Sequence, residues 1–288
     1  VFISARSQSR ADAAIQKLVE QTGKPADTFR VMLFDNNKPE TVKQAIEALP
    51  DQVVLDAVVL NAGGLPKTPD DVPKTALGLS ELYAMNVHGH AILVHGLLDS
   101  GNLAPGATVM FAGTEAARGI PAMRMALPTL PDGHGDLVST IDAVSKGEHA
   151  GKGYDPMVDY GLVKLIGTSW MQHLAEHHGL RALTVSPGFT GGTAAMDKLP
   201  AFQQFMFRYV ALPIMKWRGD AHELEFGAKR YVQALEDDAL QAGNFYASAG
   251  GRISGPLTLQ GPDLQPLLGD ASFHAAVASV IDGQVARA

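Results

Sequence analysis

Short, unbroken apolar runs alternate with stretches of helical periodicity along this chain, regularly enough to predict its elements. Residues 1–4 and 31–34 read as buried strands. Between them, residues 11–21 read as a helix, with Ala14, Ile15, Leu18 and Val19 at helical spacing and Gly23 as its stop. A helix over 41–49, closed by Pro50, leads to a third strand over 55–60. A long helix over 79–100, a strand over 108–112, a helix over 159–178 and a strand over 182–185 follow, with a last short strand at 243–247 and an amphipathic helix beyond 257. Continuous apolar strands separated by helices indicate βαβ units and a parallel sheet covered on both faces. No internal repeat or linker divides the chain, so one domain over residues 1–288 is expected.

Composition narrows the function classes. With 288 residues and 46% apolar content the chain can bury a sizeable core, and α/β folds of this size are routinely single domains. A net charge of −7 argues against nucleic acid, whose phosphates need a basic face. The absence of cysteine excludes disulfides and thiolate chemistry. No apolar run approaches the ~20 residues of a membrane-spanning helix, and Arg6 and Arg10 interrupt any secretory signal at the start. A soluble, cytoplasmic protein is the default expectation.

Ligands of open α/β sheets sit beyond the carboxyl ends of the strands. Three segments fall there: Asn61-Ala62-Gly63-Gly64, Gly113-Thr114 and residues 187–193. Each could be an ordinary turn on its own. The helix over 159–178 adds Tyr160 and Lys164, one turn apart on one face, where a cation can lower a phenol's pKa. Taken in order, these segments resemble the short-chain dehydrogenase/reductase family. Asn61-Ala62-Gly63 looks like its Asn-Ala-Gly motif on the cofactor side of the sheet, and Asn86 in Met85-Asn86-Val87 looks like its proton-relay asparagine. Thr114 stands where the family has its active-site serine, and Tyr160 and Lys164 match Tyr-x-x-x-Lys. Pro187-Gly188 matches the Pro-Gly turn, after which Thr190 or Thr193 would contact the nicotinamide end.

The resemblance implies a Rossmann-like doubly wound parallel sheet and hydride transfer between NADP(H) or NAD(H) and a carbonyl or alcohol. Tyr160 would donate and accept the proton, and Thr114 would hold the substrate oxygen. Lys164 would lower the Tyr160 pKa and bind the nicotinamide ribose, while Asn86 would position a relay to solvent. The family's first strand and glycine-rich turn have no counterpart here, because residues 1–6 look like its second strand. An N-terminally truncated domain without its diphosphate cradle is therefore expected. Thr114 offers the serine's hydroxyl with a more restricted rotamer. The separation of 46 positions between Thr114 and Tyr160 far exceeds the family's usual spacing, so an insert at about 120–157 is expected to shape the substrate pocket.

Cofactor choice rests on the end of the first strand, where an acid would bind a ribose 2′-hydroxyl and a base a 2′-phosphate. Ala5-Arg6-Ser7 has no acid, which favours NADP over NAD with Arg6 as the phosphate ligand. Asp35 resembles the family's acidic contact near the adenine, although a helix-cap role fits equally. A lid at about 193–218 carries Phe202, Phe205, Met206 and Tyr209, and is expected to cap the site or touch another subunit in a homo-oligomer rather than to bind a membrane surface. The insert and lid suggest a partly apolar small-molecule substrate. His173, His177 and His178 have a metal-like spacing, but their place at a helix end favours a structural role, and no metal is expected. His88, His90 and His95 read as packing residues. The alternative to an enzyme is a catalytically impaired nicotinamide-binding sensor or structural protein on the same fold.

Overall fold

A computed structural model describes residues 1–65, 72–150, 154–188 and 224–288. The N-terminal part contains β1 (Phe2–Ala5), α1 (Gln8–Thr22), β2 (Arg30–Leu33), α2 (Pro39–Glu47) and β3 (Leu55–Leu60). The predicted helix over 79–100 divides. A turn at Glu81–Tyr83, capped by the Ser80 hydroxyl, passes through a π-helical segment, Ala84–His88, into α3 (Gly89–Asp99). Then follow β4 (Leu103–Ala112), α4 (Leu137–Lys146), α5 (Pro156–His177) and β5 (Arg181–Val185). Beyond these lie α6 (Leu224–Glu236), β6 (Phe245–Ala247), β7 (Thr258–Leu259) and α7 (Ala271–Val285).

β3, β4, β5 and β6 pair in parallel in that order, and β7 closes the edge antiparallel to β6. β1 and β2 form a separate parallel pair, and no strand ladder joins it to the larger sheet among the described residues. The five-stranded sheet is mostly parallel and flanked by helices, a Rossmann-like arrangement. The central strands explain the unbroken apolar runs: Val109, Met110 and Phe111 of β4, and Ala182, Leu183 and Val185 of β5, are fully buried. On β3, by contrast, Asp56, Ala57 and Val59 are exposed. The β1–β2 pair is tied in chiefly through α2 on α3, where Gly96 leaves room for the Ile46 side chain.

The helix α5 positions the chemistry. Asp155 caps it by accepting from Met157 and Val158 N–H, and Pro156 opens its first turn. It is apolar nearly all round, with Leu162, Val163, Leu165, Ile166, Trp170, Met171 and Leu174 buried, as a helix enclosed on every side must be. Two glycines set how close it comes. A Cβ on Gly161 would lie 2.4 Å from the Ala116 carbonyl oxygen, and one on Gly167 would lie 2.4 Å from the Phe111 ring. Neither position has room for a methyl group. Gly167→Ala is therefore expected to destabilise the fold by ~1–3 kcal/mol through overpacking, despite alanine's better helix propensity. Urea unfolding of the variant checks this, and unchanged stability would show that α5 is free to back away from β4.

Candidate active site

The described residues among those expected from the sequence gather along the carboxyl ends of the strands. Thr114 follows β4 and caps a short 3₁₀ turn, Glu115–Arg118, by accepting from the Ala116 N–H at 3.2 Å. Because Gly161 packs on that same turn, its neighbour Tyr160 is brought beside Thr114. One turn further along α5, the Lys164 ammonium donates to the Ala112 carbonyl at 2.9 Å and lies 4.6 Å from the Phe111 ring centroid. Asn86 sits in the π-helical segment and is fully buried. Its Nδ2 donates to the carbonyls of Gly64 at 3.0 Å and Leu82 at 2.8 Å, while its Oδ1 accepts from the Gly64 N–H. The asparagine thus holds the Gly64 turn after β3 through both its amide nitrogen and its oxygen, and spends its remaining hydrogen on Leu82.

That turn has a second brace. His90 Nε2 lies 2.6 Å from the Ala62 carbonyl, so the ring donates from that nitrogen. Burial drives the His90 pKa down to about 4, outweighing the carbonyl's pull, so the ring is neutral at pH 7. Asn36, from the loop after β2, donates to the Met85 carbonyl at 3.0 Å. His90, read from the sequence as a packing residue, is a hydrogen-bonding support of the turn. Nothing in its spacing marks that role.

Two cavities of about 330 Å³ share Gly63 in their linings. The first is lined by Arg6, Arg10, Asp35, Asn36 and Ala62. The second holds Asn61, Asn86, Thr114, Tyr160 and Lys164, with Pro187 and Gly188 on its far side. Ile120, Met123 and Met125 from the start of the insert, and Met157 from its end, form much of the apolar wall. The body of the insert is not a loop, since it contains α4, which packs on α7. Its return to α5 is clipped by Asp159, which accepts from the Tyr154 hydroxyl and pairs with His149 Nε2, both at 2.7 Å. Thr190, Thr193 and the lid at about 193–218 lie outside the described residues. A larger cavity, about 670 Å³, opens around His88, Asp142 and Gln284, away from all of these groups.

The electrostatics correct one expectation. Lys164 does not lower the Tyr160 pKa in this state. Burial pushes Tyr160 up to about 12, with Thr114 pulling it down and the Glu115 charge adding to the rise. Burial likewise pushes Lys164 down to about 7, because an ammonium under the sheet's end has lost most of its water. Sequence reasoning also missed Glu115 and Arg230, a buried pair 3.5 Å apart. Glu115 accepts from Ser186 Oγ at 2.6 Å and Ser248 Oγ at 2.7 Å, and Arg230 donates to the Ser186 carbonyl at 2.9 Å. This network ties the Thr114 turn, the Pro187-Gly188 turn and α6 together. Among the described residues no cluster of three or more His, Asp or Glu is arranged to hold a metal ion. No helix among them is long and apolar enough to cross a membrane.

No family model matches the sequence, and no curated protein does. Solved structures match in fold. An uncharacterised protein from Mycobacterium Paratuberculosis superposes with a TM-score of 0.63 at 18% identity, covering 99% of this chain and 84% of that one. A carbonyl reductase from Pseudomonas aeruginosa PAO1 aligns with a TM-score of 0.51 at 19% identity, over 85% of this chain and 84% of its own. A short chain dehydrogenase from Burkholderia cenocepacia J2315, solved in complex with NADP, gives 0.53 at 18% identity, over 82% and 79%. At these identities the likeness is one of fold, and the fold is that of the short-chain dehydrogenases/reductases.

The depressed Lys164 pKa has a thermodynamic signature. Between pH about 7 and the ordinary lysine value of 10.5, the unfolded chain keeps a proton that the folded protein has shed. On account of this residue, stability should rise with pH across that window and level off below pH 7. In Lys164→Met the rise should disappear, as read by urea unfolding in parallel with wild type. Equal pH slopes in the two proteins would show that Lys164 stays charged when folded.

Proposed function

We propose that the protein is an NADP(H)-linked oxidoreductase interconverting a carbonyl and an alcohol, with Tyr160 as the proton donor and acceptor. One observation carries this reading. Tyr160, Thr114, Lys164 and Asn86 converge on a cavity that shares Gly63 with a second, arginine-bearing cavity. The residues fit a dinucleotide. A Cβ on Gly63 would come 2.5 Å from Asn86 Oδ1 and 3.4 Å from Lys164 Nζ, so a side chain there would press on the asparagine that holds this turn. In the first cavity Arg6 and Arg10 suit a 2′-phosphate, and Asp35 and Asn36 suit the adenosine. In the second, Lys164 would hold the nicotinamide ribose, and Asn61, Gly63, Pro187 and Gly188 would offer backbone, with Ala62 on the side of the first cavity and Thr190 or Thr193 beyond. NADP in the Burkholderia cenocepacia structure and the carbonyl reductase among the fold neighbours point the same way.

When bound, the nicotinamide supplies or takes the hydride. The chain's own residues handle the proton. At pH 7 the high pKa keeps Tyr160 protonated, ready to donate to a carbonyl oxygen as negative charge develops there. Thr114 holds that oxygen beside the phenol, and the apolar wall of Ile120, Met125 and Met157 excludes water. The oxidation direction needs a phenolate, so it should quicken as pH rises toward the Tyr160 value, whereas reduction should not. Asn86 acts by holding the Gly64 turn, and any relay to solvent would run through its backbone rather than its committed side chain.

The alternative is an impaired nicotinamide binder, and it has one point in its favour: Lys164 is turned to the Ala112 carbonyl and burial lowers its pKa. Kinetics separate the two. Tyr160→Phe should lower kcat/KM for carbonyl reduction about 10²–10⁴-fold with circular dichroism unchanged, and near-normal turnover in the variant would sink the assignment. Cofactor choice is read separately. Arg6→Ala should weaken NADPH about tenfold or more while changing NADH little, the loss of a charge-assisted contact to one phosphate. Equal effects on both cofactors would place Arg6 outside the phosphate site.

A further inference from the structure

We infer that Tyr231 is a second substrate-recognition residue, and that the substrate carries a hydrogen-bond acceptor besides the carbonyl that reacts. The inference rests on the oxidoreductase reading and deepens it. Tyr231 comes from α6, far from Tyr160 in sequence, yet it lines the same cavity as Tyr160 and Thr114. Its hydroxyl oxygen is buried and has no hydrogen-bond partner among the described residues. Folded proteins rarely leave such a group unpaired, because it gives up its water for nothing. The exceptions tend to be functional.

The phenol is also held firmly in place. Its ring packs against the buried cluster of Met110, Leu183, Val185 and Tyr246. Its neighbour Arg230 is fixed by Glu115 at 3.5 Å, by the Ser186 carbonyl at 2.9 Å and by Ser248 Oγ at 2.8 Å. A buried arginine so engaged cannot slide without leaving a carboxylate unpaired. The helix α6 is therefore keyed to the turn that carries Thr114, and Tyr231 cannot simply swing to a partner elsewhere. Burial raises its pKa, with the nearby Tyr160 and Glu115 adding to the rise, so it is a hydroxyl donor at any physiological pH.

Two other polar side chains of the cavity are committed elsewhere: Ser186 donates to Glu115, and Asn86 is spent on Gly64 and Leu82. Thr114 accepts from the Ala116 N–H and keeps its own proton for the oxygen that reacts. Much of the remaining wall is methionine and isoleucine. A simple apolar ketone would satisfy Tyr160 and leave Tyr231 unpaired. A compact, mostly apolar compound with two oxygens, such as a diketone, a hydroxyketone or a ketoester, would satisfy both.

The test compares NADPH-dependent reduction of cyclohexanone with that of cyclohexane-1,2-, 1,3- and 1,4-dione. Wild type, Tyr231→Phe and Tyr160→Phe are assayed side by side in the full-length protein. Wild type should favour at least one dione over cyclohexanone by about tenfold in kcat/KM. Tyr231→Phe should lower that ratio about fivefold to tenfold, chiefly through KM. Tyrosine-labelled ¹³C NMR gives a readout independent of turnover, in which that dione, and not cyclohexanone, should shift the Tyr231 signal. A ratio within about twofold of wild type, or an unmoved Tyr231 signal, would overturn the inference. If Tyr160→Phe still abolishes turnover in that case, the oxidoreductase reading stands. Failure of wild type to reduce any of these ketones overturns both.

Discussion

The close approach of α5 to the sheet is the constraint on which the site depends. Gly161 lets the helix rest on the Ala116 carbonyl, and Gly167 lets it rest on the Phe111 ring. Only with both contacts does Tyr160 stand beside Thr114 while Lys164 reaches the end of β4. The same closeness has an electrostatic consequence. A phenol and an ammonium pressed against apolar surface lose water, which moves the phenol up and the ammonium down, toward neutrality for both. Proximity of a cation to a phenol is therefore not sufficient to make an acid of it. Desolvation competes, and in this state desolvation wins.

Polar side chains buried around the site act as fasteners. Asn86 and His90 hold the turn after β3 from the side of α3, and Asn36 adds a bond to Met85. Glu115 and Arg230 join three segments that lie far apart in sequence. Arg118 adds donations from Nη2 to the carbonyls of Ser248, Ala249 and Arg252. Buried charge of this kind adds little net stability, since desolvation offsets attraction, but losing one partner is costly. Its value lies in fixing register, and here it fixes α6 relative to the Thr114 turn.

Most of the fold was legible in the sequence because its strands are continuous apolar runs. β3 was read to the residue, and β5 within one. The π-helical segment Ala84–His88 was not, because it keeps the apolar pattern of the helix it interrupts, and only the backbone bond pattern differs. The helix α4 lies within the insert, where the pattern predicts no element, although Asp136 as its cap and Gly147 as its stop are visible signals. The chemistry-bearing residues were legible through motif order, which places them along one edge of the sheet. Tyr231 and the Glu115–Arg230 pair were not, since their roles come from tertiary contacts that leave no periodicity or motif behind.

The central claim is that Tyr160 completes a hydride transfer within the cavity bounded by Gly63 and Gly188. Deuterium tracing tests it most directly: NADPH deuterated at the transferable position is supplied to the full-length protein with a panel of ketones. Label on the carbinol carbon of the product with wild type, and its near absence with Tyr160→Phe, is the expected result. Bound cofactor with no label transferred by wild type, or equal transfer by the variant, would contradict it.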